Sequence, residues 1–168
     1  MPEPTTPPPS RPHAPPVIAA EPDVAAPDVV ALLRGHLEEM HAVSPPESVH
    51  ALDLDALRRP EVTFLTARDA GGALLGVVAL KRLDATHGEL KSMRTDPTRV
   101  RSGTGTALLL HVLDLARDLG LTRVSLETGT EPFFAPARAL YARHGFVECP
   151  PFGDYAPDPL SVFLTRAL

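Results

Sequence analysis

Apolar residues along this chain recur at two spacings, three-to-four residues in some segments and two in others. Over 27–42, PDVVALLRGHLEEMHA, the positions Val30, Leu33, Leu37 and Met40 share one face of a predicted helix. Pro27 and Asp28 suit its first turn, where a missing N–H is harmless and a carboxylate meets the positive dipole end. A second helix is predicted over 103–119, GTGTALLLHVLDLARDL. Its stripe of Leu108, Val112, Leu115 and Leu119 is widened by Leu109 and Leu113, which predicts a largely buried helix. Gly120 stands at the usual position just past its end. PARALYARHG predicts another helix, closed by Gly145.

The remaining apolar runs read as strands. VTFLTARD, ALLGVVALKRLD and ELKSMRTD are separated by a Gly71-Gly72 turn and a Thr86-His87-Gly88 turn, which predicts three consecutive antiparallel strands. Val17–Ala20, TRVSLET and SVFLTRAL add a first, a penultimate and a last strand. SPPESVHALDLDALRRP is a break followed by one or two short helical turns that end before Pro60. The order β-α-α-β-β-β-α-β-α-β describes an α/β (α+β) domain with a mixed, mostly antiparallel sheet flanked by helices.

Composition changes this picture at the N-terminus. Eight of the twenty prolines lie in the first sixteen residues, where they remove amide donors and fix φ. Residues 1–15 are therefore expected to be a disordered Pro-rich tail, and 16–168 one domain. The net charge of -5 argues against nucleic acid as a partner. No stretch approaches the ~18 apolar residues of a membrane span, and the start lacks the apolar core of a secretion signal. The expected location is cytoplasmic, with no membrane partner. Cys149 is the only cysteine, which excludes an internal disulfide and a CxxC metal site. His36 and His41 are five apart, off the i, i+4 face of a helical zinc pair, and the other histidines are scattered. No metal is expected.

Chemistry enters at the strand–turn–helix succession ELKSMRTD, PTRVRSGTG, TALLLHVLDLARDL. Gly103 and Gly105 allow backbone amides to approach a ligand, and a helix start favours a pyrophosphate by about 0.3–2 kcal/mol. Arg99 and Arg101 add charge on the approach. No Gly-Lys-Ser/Thr and no third glycine at the dinucleotide spacing are present. MRTDPTRVRSGTGTALL resembles the acetyl-CoA-binding motif of the GNAT superfamily of acetyltransferases, a strand ending in Val-x-Pro followed by Arg/Gln-x-x-Gly-x-Gly/Ala. ARALYARHGF resembles the family's second motif, Ala-x-x-Leu-Tyr-x-x-x-Gly-Phe, and the element order from about residue 17 to 168 fits. Two departures bear on the cofactor contacts. Val100 takes the place of the family's Arg/Gln, and Phe134 stands where many members carry Asn.

The resemblance implies the GNAT fold, acetyl-CoA as cosubstrate and transfer of its acetyl group to an amine. It implies pyrophosphate contacts from Arg99, Val100, Arg101, Ser102, Gly103, Thr104, Gly105 and Thr106. Pantetheine would pair with the main chain of Met93, Arg94 and Thr95, with Phe134, Ala137 and Tyr141 nearby. Tyr141 takes the place of the family's general acid; a phenol with pKa about 10 can protonate a thiolate with pKa near 8.5. Glu89 and Glu127 are the candidate bases, and each is also compatible with a salt-bridged surface carboxylate. His36, Glu39, Ser48, Phe152 and Tyr155 are candidates for lining the acceptor pocket. The expected reaction is acetylation of a small-molecule primary amine, with a possible homodimer as the working form. A peptide amine as acceptor, or an acyl-CoA sensor without turnover, are the alternatives.

Overall fold

The computed structural model describes residues 14–44, 53–99 and 102–168. Seven strands form one sheet in the order β1-β2-β3-β4-β5-β7-β6. They are β1 (Val17–Ala20), β2 (Val62–Arg68), β3 (Leu74–Arg82), β4 (His87–Thr95), β5 (Arg123–Gly129), β6 (Val147–Glu148) and β7 (Ser161–Ala167). Helices α1 (Pro27–Val43), α2 (Leu54–Leu57), α3 (Thr104–Asp118) and α4 (Ala135–Arg143) flank it. The expected order holds with one addition, the two-residue β6 on the sheet edge, too short to carry a periodic signal.

Two cores separate the layers. Leu108, Leu109, Val112, Leu113 and Ala116 of α3, with Tyr141 of α4, pack on Leu65, Val78, Leu80 and Leu90. On the other face Val29 and Leu33 of α1 and Leu57 of α2 pack on Phe64, Val77 and Ala79. Two expected stripes are displaced. The buried row of α3 ends at Ala116, and Leu119 is 40% exposed because the chain has already turned at Gly120, where φ is +78°. In α1 the fully buried residue is Val29 rather than Val30, and the far half of the stripe, Leu37 and Met40, faces a cavity. The second hairpin, between β3 and β4, also differs. Asp84 accepts from the amides of Thr86 and His87, so His87 and Gly88 already belong to β4. A Cβ on Gly88 would stand 2.8 Å from Leu121 Cδ1, so close packing explains this glycine.

Every neighbouring pair is antiparallel except β4 and β5. Those two run parallel and pair only over His87–Glu89 with Arg123–Ser125. Beyond Glu89 and Ser125 the strands diverge, and main-chain groups at the sheet centre are left facing a gap.

Candidate active site

The gap between β4 and β5 is accompanied by an irregularity in β4. Val77 partners Arg94 while Ala79 partners Lys91, so Ser92 and Met93 together stand opposite Val78. Ser92 has φ +53°, a conformation that costs a non-glycine residue about 1–2 kcal/mol. Such a bulge turns backbone groups away from the ladder and re-aims the side chains beyond it. It sits at Met93, Arg94 and Thr95, the stretch expected to pair with pantetheine.

A cavity of about 310 Å3 opens at this point, walled by α1, α2, β4, β5 and the start of α4. Among the predicted residues, His36, Glu89, Met93, Glu127, Phe134, Ala137, Tyr141 and Tyr155 all line it. Tyr141 is buried, and its hydroxyl lies 3.7 Å from Met93 Sδ. Burial pushes this phenol far above its ordinary range, so it stays protonated as a donor. Glu89, on the α1/α2 face of β4, accepts from the Tyr155 hydroxyl at 2.6 Å and from Lys91 Nζ at 3.2 Å. Glu127 accepts from Ser161 Oγ at 2.9 Å.

His36 projects from α1 with Nδ1 buried and without a partner among the described residues. Burial, reinforced by the nearby Arg94 charge, lowers its pKa to about 4, so the ring is neutral at pH 7. Arg94 forms an ion pair with Glu39, which ties α1 to β4. Ser44 Oγ donates to Glu131 Oε1 at 3.0 Å and links the end of α1 to the turn before α4. Phe152 does not line the cavity; its ring packs against His87, Tyr155 and Phe163.

The second cluster lies at the start of α3. Gly103 is the N-cap with φ +84°, and no side chain caps the helix, so its first amides have no partner within the helix. Thr104 is buried and shares a hydrogen bond with Ser102 Oγ at 2.9 Å. Gly105 faces β4: a Cβ there would lie 3.6 Å from Met93 Cε and 3.8 Å from Thr95 Cγ2. Thr106 follows, half-buried in the same first turn. The uncapped helix start and the bulged strand thus meet at Gly105, a continuous cradle suited to a phosphate followed by an extended chain. Arg99 pairs with Asp69 at 3.1 Å. Val100, Arg101 and Ser48 lie outside the described residues, as does most of the 1–15 segment.

Lys91 is the residue that sequence reasoning passed over. Its signal was available: it lies two positions after Glu89 in a predicted strand, hence on the same face. Among the described residues no group of three or more His, Cys, Asp or Glu is placed to hold a metal, and no helix is long and apolar enough to cross a membrane.

The chain is similar to known proteins in sequence and fold. Residues 29–146 match the model of the acetyltransferase (GNAT) family. The uncharacterized N-acetyltransferase YsnE of Bacillus subtilis is 49% identical over 146 residues, 87% of this chain and 96% of that protein. The IAA acetyltransferase of Azospirillum brasilense is 41% identical over 125 residues, 74% of this chain and 80% of that protein. A Klebsiella pneumoniae protein named as an acyl-CoA N-acyltransferase superposes with a TM-score of 0.74 at 26% identity, covering 91% of this chain and 97% of its own. With the bulged strand, the glycine-capped helix and the buried tyrosine in place, the chain belongs to the GNAT family of acetyltransferases.

Proposed function

We propose that this enzyme transfers an acetyl group from acetyl-CoA to the primary amine of a small molecule. The observation that carries the reading is a single chamber lined by Tyr141 and Met93 as well as by Glu89 and Glu127. A proton donor and two carboxylates thus face one volume of about 310 Å3, within the range of small-molecule sites. The similarity to a protein named IAA acetyltransferase agrees with a small acceptor.

Acetyl-CoA, when bound, supplies an acetyl group activated as a thioester. The amides of Thr104, Gly105 and Thr106 would hold its pyrophosphate, with Gly103 setting their direction. Main-chain groups of Met93 to Thr95 would pair with its pantetheine arm, and the bulge leaves an amide there to stabilise a developing oxyanion. Tyr141 holds its proton at Oη, ready to donate. An alkylammonium is only about one part in 10³ neutral at pH 7, so a carboxylate that takes its proton raises the usable fraction. Glu89 or Glu127 fills that role; both face the chamber.

The test is thiol release from acetyl-CoA against a broad panel of amines and peptides. Turnover with at least one small amine supports the reading. Turnover with peptides alone would move the acceptor to that class. Tight acetyl-CoA binding without release across the whole panel would make the protein a sensor.

A further inference from the structure

A second cavity, of about 820 Å3, lies beside the ends of β2 and β3 and the segment preceding β7. Among the described residues it shares Glu89, Lys91 and Tyr155 with the 310 Å3 chamber. These three are mutually bonded: Tyr155 donates to Glu89, and Lys91 Nζ donates to Glu89 and, at 3.3 Å, to the Tyr155 oxygen. The partition between the two volumes is therefore a knot of side chains and not of backbone.

The chain uses fourteen arginines and two lysines, and both lysines line this outer cavity. Lys81 is the cross-strand partner of Glu89, and Lys91 lies two residues beyond Glu89, so all three occupy one face. Lys81 is half-buried, and its ammonium makes no hydrogen bond or ion pair among the described residues. Carboxylates of Glu61, Asp154 and Asp158 also line the cavity. Asp154 is exposed, and Asp158 accepts from the Leu160 amide.

We infer that this cavity recognises the acceptor, and that the acceptor carries a carboxylate within a few bonds of its amine, as an α-amino acid does. The inference rests on the amine-acetylation reading above. The carboxylate would take Lys81 and Lys91, and the ammonium would take Glu89. Such a ligand exchanges partners without leaving a charge alone: Lys91 trades one carboxylate for another, Lys81 gains one, and Glu89 gains a cation. A plain amine would bring only a cation, and in taking Glu89 it would strip Lys91 of its partner. Lys91 would then keep only its contact with the Tyr155 hydroxyl, whereas an amino acid brings a carboxylate to replace Glu89. Lysine suits the exchange because its point charge on a flexible stem can swing between partners, which the planar arginine fork does less readily.

Calorimetry with the full chain and saturating coenzyme A tests this with matched probes: phenylalanine against phenethylamine, tryptophan against tryptamine, histidine against histamine, alanine against ethylamine. In at least one pair the amino acid should bind tenfold or more tightly than its decarboxylated partner, and Lys81→Gln should remove most of that preference. Equal binding within every pair, no binding by any probe, or a preference untouched in Lys81→Gln would overturn the inference. The two readings fail separately. Thiol release with plain amines but not with amino acids keeps acetylation and ends this proposal. Selective amino-acid binding without thiol release ends the acetylation reading instead.

Discussion

The Tyr155 hydroxyl donates to Glu89 Oε1 across 2.6 Å, joining the segment before β7 to the start of β4. Glu89 has a side chain 4% exposed, and a carboxylate removed from water this far needs its donors. Burial, together with the Glu89 charge, pushes the Tyr155 phenol far above its ordinary range, so it remains a donor at any working pH. Tyr155→Phe keeps the ring contacts with Phe152 and Phe163 and deletes this bond together with the 3.3 Å contact from Lys91 Nζ. The variant should lose about 1–3 kcal/mol of stability, the usual cost of leaving a buried acceptor short of a donor. Urea unfolding checks it; an unchanged midpoint would show that Lys91 alone satisfies the carboxylate.

Glu89→Gln and Glu127→Gln separate the two candidate bases. If Glu89 takes the acceptor's proton, Glu89→Gln should lower kcat at least about tenfold and remove the acidic limb of the kcat/KM profile. Glu127→Gln should then keep that limb. The profiles exchanged would assign the base to Glu127. Acetyl-CoA affinity, measured alongside, should stay within about threefold for both.

Tyr141→Phe removes one oxygen from a ring packed on Phe146 at a centroid distance of 5.6 Å. The fold and acetyl-CoA affinity should survive, and kcat should fall about 10²-fold, the scale for losing a general acid. A variant that keeps more than about half of wild-type kcat would make Tyr141 a packing residue.

The glycines before and within α3 should respond differently. A Cβ on Gly103 meets nothing within 4 Å, so the obstacle to Gly103→Val is its φ of +84°. Forcing a β-branched residue there should redirect the first amides of α3 and weaken acetyl-CoA binding at least about tenfold, roughly 1.4 kcal/mol. Gly105→Ala places its methyl 3.5 Å from Leu140 Cδ2, an ordinary contact, and should cost less than about threefold. Calorimetric titration of both folded variants decides.

His36 links stability to pH. Its pKa falls from the usual 6.5 to about 4 in the folded chain. The unfolded chain therefore binds the proton first, and stability falls as pH drops from about 6.5 toward 4. The full effect corresponds to roughly 3 kcal/mol. His36→Gln should flatten the melting-temperature profile in that window and leave it unchanged above pH 7. A wild-type profile already flat between pH 4 and 6.5 would mean that the ring opens to solvent.

Local pattern carried most of the architecture. Helical spacing located α1 and α3, and the Gly71-Gly72 and Gly120 punctuation located their neighbours, because burial and backbone conformation are short-range demands on residue type. The cradle was legible for the same reason: a strand, a left-handed glycine and a buried helix stand side by side in the chain. What the sequence could not order was the polar chemistry. Glu89 and Tyr155 are 66 positions apart, Ser44 and Glu131 are 87 apart, and Arg94 finds Glu39 across 55. The pairing of such groups depends on which strands neighbour each other, on the bulge at Ser92, and on where β4 and β5 part. A polar residue at a strand position has the same local pattern whether it meets water, a lysine or a tyrosine. Only the closed fold brings Tyr155 to the Glu89 carboxylate, because desolvation and charge pairing act through space and leave no period along the chain.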